Sequence, residues 1–299
     1  MLSVLICTYN RGDILAECLE SVVSTYTEAF PIEVIVIDNN STDNTSGIVQ
    51  QFHSKYPYVV YHFEKAQGLS YARNAGYQKA KYDWVVYLDD DALVHDNFFE
   101  RIFYLISDTD YKCIGGLYLP WYKYGQPKWY RESFGSNRKS YTALTALKSS
   151  EYVSGGIFLI QKSLLYAHNG FDVGLGMTGE TVAYGEEDDL QNRLRSSGIT
   201  IAYDPLLKID HLVPQYKMDV KWFLNASYEM GKSFFAIRGY PDNKLTGIFA
   251  LLIGLGQLLV GFFLNVFKLL KKDYYLESFY LDVCKKPLKW FGAFVNTWN

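Results

Sequence analysis

The first hundred residues alternate short apolar runs with amphipathic stretches. Runs at 4–7, 32–37, 58–63 and 84–88 are β-branched or aromatic with few polar interruptions, the pattern of strands buried on both faces. Between them, 13–24, 45–55 and 70–81 repeat apolar positions at helical spacing, and Ser41-Thr42-Asp43 stands where a helix N-cap belongs. This rhythm predicts an α/β fold with a mostly parallel sheet and helices on both faces. Ligands of such sheets sit beyond the carboxyl ends of the strands. Polar residues gather at those places here: Thr8-Tyr9-Asn10-Arg11 after the first strand, Asp38-Asn39-Asn40-Ser41-Thr42-Asp43 after the second, and Asp89-Asp90-Asp91 after the fourth.

The pattern then changes. Residues 119–150 read as a long loop with an aromatic start, including Trp121, Tyr122, Trp129 and Tyr130. Strand character returns at 152–160, around Gly155-Gly156, and again at 199–203 and 207–211; 187–197 and 222–238 read as helices. From 245 to 267 no residue is charged, with Lys244 and Lys268 as flanks. That run is long enough to span a bilayer with some tilt. A buried core helix is the plainer alternative, and a re-entrant or interfacial hairpin a third, because Gly254-Leu255-Gly256-Gln257 is expected to break the run midway.

Composition narrows the classes. With 49% hydrophobic residues in 299, the chain can bury a sizeable core, which excludes disorder. A net charge of −3 argues against nucleic acid as a partner, since many phosphates would go unneutralised. The charge is uneven: 244–299 holds seven lysines against three acids, a net of +4 that leaves −7 on the residues before it. A basic apolar tail of this kind fits membrane lipids at a cytoplasmic face. The four cysteines are scattered without a Cys-x-x-Cys pair and read as reduced packing residues. Residues 1–7 lack a basic leader and read as a strand rather than a targeting segment.

Several clusters carry candidate chemistry. Three carboxylates at a strand end, Asp89 to Asp91, repel one another unless a cation sits among them, and oxygen ligands suit Mg²⁺ or Mn²⁺. The plainer reading is a solvated acidic turn capping a helix at 96–106. Glu186-Glu187-Asp188-Asp189 follows Gly185 at a helix start; acids there favour the helix dipole, but four exceed what capping needs, and one could serve as a general base. Arg73 lies early in the helix after Gly68, either as an ordinary surface residue or as a partner for an anion. His211 ends an apolar strand, where a structural role and a metal-ligand role both remain open.

The ordered combination of Ser3-Val4-Leu5-Ile6-Cys7-Thr8-Tyr9-Asn10-Arg11, Val36-Ile37-Asp38-Asn39-Asn40-Ser41-Thr42-Asp43, the stretch 68–76, Leu88-Asp89-Asp90-Asp91-Ala92 and Gly185-Glu186-Glu187-Asp188-Asp189-Leu190 closely resembles the family 2 glycosyltransferases of the Rossmann-like GT-A fold. The resemblance covers roughly residues 1–240. It implies a glycosyltransferase domain over 1–240, with 1–118 as nucleotide-binding half and 119–240 as acceptor-binding half; the apolar, basic stretch at 244–299 beyond it reads, from its own composition, as a membrane-associated region.

It also implies roles. A nucleotide-sugar donor, with a UDP-sugar as first choice, would be held by Thr8, Tyr9, Arg11, Asn39, Arg73, Asp89 and Asp90. Asn39 stands where the family often has Asp. Asp89, Asp91 and His211 would bind a divalent cation, Mn²⁺ or Mg²⁺. Glu187 falls at the base position, with Asp188 the competing choice. Gly155 and Gly156 would lie beneath an acceptor stacked on Trp121 and Trp129. The implied reaction is an inverting single displacement onto a hydroxyl of a glycan or glycolipid. A polyprenyl-phosphate acceptor is the alternative, although a phosphate needs no base. A non-catalytic sugar-nucleotide-binding scaffold is disfavoured by the intact acidic triplet. A nucleotidyltransferase is disfavoured because no Gly-rich loop follows the first strand.

Overall fold

The computed structural model describes residues 1–27, 30–178, 185–232 and 243–298. They separate into two compact units, Met1–Trp121 with Gly135–Leu212, and Tyr122–Phe134 with Val213–Asn299.

The first unit is a sheet with helices on both faces. Its strands are β1 (Leu2–Thr8), β2 (Ile32–Asp38), β3 (Val59–Phe63), β4 (Trp84–Asp89), β5 (Ala92–Val94), β6 (Cys113–Trp121), β7 (Thr145–Ala146), β8 (Ile157–Gln161) and β9 (Ala202–Leu212). They run in the order β3-β2-β1-β4-β8-β6-β9-β5, with β7 also on β9. The four strands expected from the first hundred residues are present and pair in parallel. The sheet as a whole is mixed rather than mostly parallel. β8 joins β4 and β6 antiparallel, β6 and β9 are parallel, and β5 and β7 lie antiparallel to β9. The reversal follows from what comes before β8: no crossover helix precedes it, so the chain re-enters the sheet from the end where β4 finishes.

Alternation of side chains along the strands sends apolar groups to both faces. Leu2, Val4 and Ile6 of β1 pack with α1 (Gly12–Thr25), α2 (Thr45–Lys55) and α4 (Phe98–Ser107). Leu5, with Ile35 and Ile37 of β2, packs with α3 (Leu69–Lys79), α5 (Lys162–Ala167) and α6 (Glu186–Ser196). Register then aligns the functional edge. Thr8 sits opposite Asp38, and Cys7 opposite Asp89, so three carboxyl ends finish together. The acidic triplet does not cap α4, because β5 intervenes between them. The two short strands expected at 199–203 and 207–211 are one continuous strand, β9.

The second unit is helical: α7 (Val220–Lys232), α8 (Lys244–Asn265) and α9 (Leu276–Asn296). The helix expected at 222–238 is seen as α7, and its last residues lie outside the described ones. The uncharged run forms α8 without a break at Gly254–Gln257, then tightens into a 3-10 turn at Val266–Leu270. The run is not a buried core helix. Its apolar 18-residue window has a mean hydropathy of 2.3 and is only 17% buried, and by length and composition it is the one helix among the described residues that could cross a membrane. Part of the expected aromatic loop belongs here: Tyr130 is buried beside Trp129, Phe134 and Phe223, with Tyr130 and Phe134 ring centroids 5.5 Å apart.

Candidate active site

Two loops after β1 and β2 brace one another. Asp43 accepts hydrogen bonds from the Gly12 amide at 3.0 Å and the Thr45 amide at 3.1 Å, which ties the starts of α1 and α2 together. The Asn10 amide donates to Ser41 Oγ, and the Thr42 amide donates to Asn10 Oδ1. Asn10 and Asn40 adopt left-handed backbone conformations, φ 52° and 68°, which asparagine tolerates better than most residues. Asn39 is fully used inside this framework. Its Nδ2 donates to the Ala66 carbonyl at 2.6 Å, and its Oδ1 accepts from the Gly68 amide at 2.7 Å. Its amide therefore shapes the 64–68 loop rather than presenting a free end to a base. Thr8 is buried at the end of β1, and Tyr9 beside it is half-buried.

At the ends of β4 and β9 three ligand groups converge. The antiparallel β5–β9 pairing sets Ala92 opposite His211, and the Leu212 amide donates to the Asp91 carbonyl at 2.9 Å. His211 Nε2 consequently lies 3.3 Å from Asp89 Oδ2 and 3.2 Å from Asp91 Oδ1. One ligand atom from each of the three residues lies within 4.8 Å of the others, close enough to share an ion. Asp91 Oδ1 is buried without a hydrogen bond. A buried carboxylate oxygen that has no hydrogen bond and lies 3.2 Å from an imidazole nitrogen is well placed to share a cation with it. Two carboxylates and one imidazole are also ligands that Mn²⁺ and Mg²⁺ accept. The residues present thus fit a divalent cation.

Charges around this cluster are placed asymmetrically. Arg11 spans Asp90 Oδ1 at 2.9 Å and Asp91 Oδ2 at 2.6 Å. Burial pushes the Asp90 carboxyl up to about 7, with Asp91 adding to the rise against the pull of Arg11. Burial works on Asp89 in the same sense. The His211 bond and the charges of His211, Arg73 and Arg11 outweigh it and hold that carboxyl below its ordinary value.

The second acidic group meets the first across two glycines. From α3, the buried Arg73 reaches Glu186 Oε1 at 2.8 Å and Glu187 Oε1 at 3.0 Å at the start of α6. Glu186 is buried, and burial together with neighbouring Glu187 raises its carboxyl against Arg73. Glu187 also accepts from the Gly155 amide at 3.2 Å, and its side chain is 23% exposed. Asp188, in contrast, is exposed, although partial desolvation and neighbouring Glu187 raise its carboxyl, and Asp189 pairs with Arg193 along α6 at 2.7 Å.

Gly155 and Gly156 are the spacer. A Cβ on Gly155 would lie 2.2 Å from Glu187 Oε1 and 2.3 Å from Arg73 Nη2; one on Gly156 would lie 2.5 Å from Asp89 Oδ2. The pair therefore lies against the carboxylates themselves. Gly155→Ala is expected to force the Arg73–Glu187 pair apart and to lower stability by about 1–3 kcal/mol. A melting curve checks it; an unchanged Tm would show that the close approach is dispensable.

Three further residues shape the site; Glu186 belongs to the acidic run already singled out in the sequence, whereas Gln191 and Tyr118 were not picked out there. Glu186 takes half of Arg73. Gln191 grips the Val153 amide and carbonyl at 2.9 Å each, fixing the approach to Gly155. Its position one helical turn beyond Glu187 is the signal that could have found it. Tyr118 stacks near His211, centroids 5.2 Å apart, and burial with the charges of Asp89 and Glu187 raises its hydroxyl's pKa. Trp121 ends β6 in this unit, while Trp129 packs in the aromatic cluster of the helical unit.

The description glycosyl transferase family 2 matches residues 3–168, more than half of the chain; the span includes the loops after β1, β2 and β4 and ends before Glu187 and His211. The chain belongs to this family. Among its relatives is an uncharacterised glycosyltransferase of Mycoplasma pneumoniae, 34% identical over 117 residues, which are 38% of this chain and 39% of that protein. The succinoglycan biosynthesis protein ExoM of Rhizobium meliloti is 24% identical over 230 residues, 76% of this chain and 72% of its own length. The chain thus spans well under half of the first relative and most of the second. In three dimensions it resembles a mannosyltransferase of Pyrobaculum calidifontis solved with GDP-Man and Mn²⁺, with a TM-score of 0.57 at 17% identity, over 79% of this chain and 64% of that one. This family 2 member has the GT-A fold, a mixed sheet between helical layers.

Proposed function

We propose that the protein is an inverting glycosyltransferase that moves a sugar from a nucleotide-sugar donor to a hydroxyl of a glycan or glycolipid acceptor at the cytoplasmic face of a membrane. The observation that carries this reading is the convergence of Asp89, Asp91 and His211 beside Glu187, separated only by Gly155-Gly156.

In this reading Asp89, Asp91 and His211 hold a divalent cation. Such an ion stabilises the charge that builds on the departing diphosphate. Residues 1–118 provide the donor side, with Thr8, Tyr9 and the braced loops after β1 and β2 cradling the nucleoside. Arg11, anchored on Asp90, supplies positive charge at the same edge. Glu187, fixed by Arg73 and the Gly155 amide, takes the proton from the acceptor hydroxyl. The freed oxygen attacks the anomeric carbon from the face opposite the nucleotide, the bond from that carbon to the phosphate oxygen breaks, and the configuration inverts. A positioned base of this kind contributes on the order of 10²–10⁴-fold. Asp188 is exposed, and it is Glu187 that holds the Arg73 and Gly155 contacts, which favours Glu187 as the base.

The mannosyltransferase likeness, with GDP-Man and Mn²⁺ in that structure, supports a nucleotide-sugar donor and a cation here; UDP-sugars, the first choice of the family resemblance, are tried beside GDP-sugars. The test is an assay of nucleotide release from UDP-, GDP- and dTDP-sugars with membrane extract as acceptor and Mn²⁺ present. Acceptor-dependent release with one donor, giving a product of inverted anomeric configuration by NMR, is expected. A retained configuration would sink the single-displacement mechanism.

A further inference from the structure

The helical unit poses a conflict that its packing resolves. By length α8 could cross a membrane: 22 residues rise about 33 Å, against a hydrocarbon core of about 30 Å. Away from one seam it is apolar and open, with Leu252, Leu259, Phe263, Phe267 and Leu270, on it and the turn that follows, 61–86% exposed.

The seam is occupied by α9 along nearly its whole length. Three glycines of α8, seven residues apart, allow the approach. A Cβ on Gly247 would lie 1.9 Å from Thr297 Oγ1, one on Gly254 2.5 Å from the Phe291 ring, and one on Gly261 3.3 Å from the Val283 backbone. The order of those partners makes α9 antiparallel to α8. Between the contact points α9 carries Lys285, Lys286 and Lys289, and Asp282 lies beside the last. Arg131 Nη2 lies 2.8 Å from Asp282 Oδ2, and Lys285 Nζ is 5.3 Å from the Phe223 ring of α7. α9 is clamped to α7 in turn, since a Cβ on Gly231 would lie 2.0 Å from the Lys289 carbonyl and one on Gly292 2.0 Å from the Tyr228 carbonyl.

A spanning α8 would therefore draw the α9 charges, and α7 behind them, to hydrocarbon depth, where each ionised side chain is costly. Laid flat, the same hairpin turns the open face of α8 into the acyl chains and keeps α9 as its polar cover. The ends agree. Lys244 flanks one end of α8, and Lys268, Lys271 and Lys272 follow the other. Basic residues at both ends suit a helix whose ends meet the same layer of anionic headgroups.

We infer that α8 and α9 form a monotopic hairpin that lies in the plane of an anionic lipid surface and does not cross it. The inference rests on the membrane association proposed above. The full chain is expressed with Cys284→Ser and either Lys244→Cys or Lys271→Cys, and sealed cytoplasmic-side-out membrane vesicles are treated with a membrane-impermeant maleimide. Both positions are expected to label equally with and without detergent. Labelling of one end only after detergent would establish a span and overturn the hairpin while leaving membrane association intact. Failure of the chain to sediment with the vesicles would remove the membrane reading itself. In flotation with preformed liposomes, phosphatidylglycerol added to phosphatidylcholine is expected to increase binding, and Leu259→Ser with Phe263→Ser to lower it about tenfold or more. Unchanged binding by that double variant, or its loss of a dimer instead, would also overturn the proposal.

Discussion

Asp91→Ala is expected to abolish cation-dependent donor binding and to lower transfer on the order of 10³-fold, the rate equivalent of several kcal/mol of charge stabilisation at the leaving diphosphate. The size of the effect follows from position. Asp91 is buried, one of its oxygens takes Arg11 at 2.6 Å, and the other has no hydrogen bond and lies 3.2 Å from His211 Nε2. No neighbouring group duplicates that second oxygen, because Asp90 is turned to Arg11. Arg11 keeps its bond to Asp90 in the variant, so the fold is expected to survive, with a melting curve as control. Titration with Mn²⁺ and a donor by calorimetry reads the loss directly. Wild-type binding by Asp91→Ala, insensitive to chelator, would remove the cation from the account.

Glu187→Gln separates chemistry from binding. The amide oxygen can still accept from the Gly155 amide and from Arg73, and Glu186 still holds Arg73 at 2.8 Å. Donor affinity is therefore expected to stay within a few fold, while kcat falls by about 10²–10⁴ as the proton acceptor disappears. Asp188→Asn is the companion, expected to behave like the wild type because that side chain faces solvent. If Asp188→Asn loses transfer and Glu187→Gln keeps it, the base has been placed one residue too early.

The parts of the fold that could be read from the chain are those where pattern and packing agree. β1, β2 and β4 are apolar on both faces and the structure buries them on both faces, so their existence followed from local sequence; the run at 58–63, expected to be buried likewise, is the edge strand β3, with Val60 and Phe63 exposed. What was missed depends on contacts that local sequence does not record. β8 reverses the sheet because of the route the chain takes after β6, and a five-residue apolar strand looks the same in either direction. Gly254 and Gly256 suggested a break because glycine is a poor helix former. In α8 the first of them instead lets Phe291 sit against the backbone.

The site shows the same division. Asp89, Asp91 and Glu187 stood out as acids at element ends, and the family pattern pointed to His211, yet no spacing rule brings position 211 to position 91; the β5–β9 pairing does. Asn39 was expected to help hold the donor; that the backbone at 66 and 68 takes both ends of its side-chain amide was not legible in the sequence. Gly155 and Gly156 were expected beneath an acceptor, and their role in letting Glu187 and Asp89 approach the backbone became visible only with the atoms in place.

The most direct measurement is a thermal-shift series on the 299-residue chain with UDP-, GDP- and dTDP-sugars, with Mn²⁺ and with chelator. Binding that favours the folded state raises stability by about 2.7 kcal/mol at a hundredfold excess over Kd. The account predicts a rise in Tm for one donor class that requires Mn²⁺ and is absent in Asp91→Ala. A rise of equal size in chelator, or none with any donor, would contradict the claim that Asp89, Asp91 and His211 bind a nucleotide-sugar through a cation.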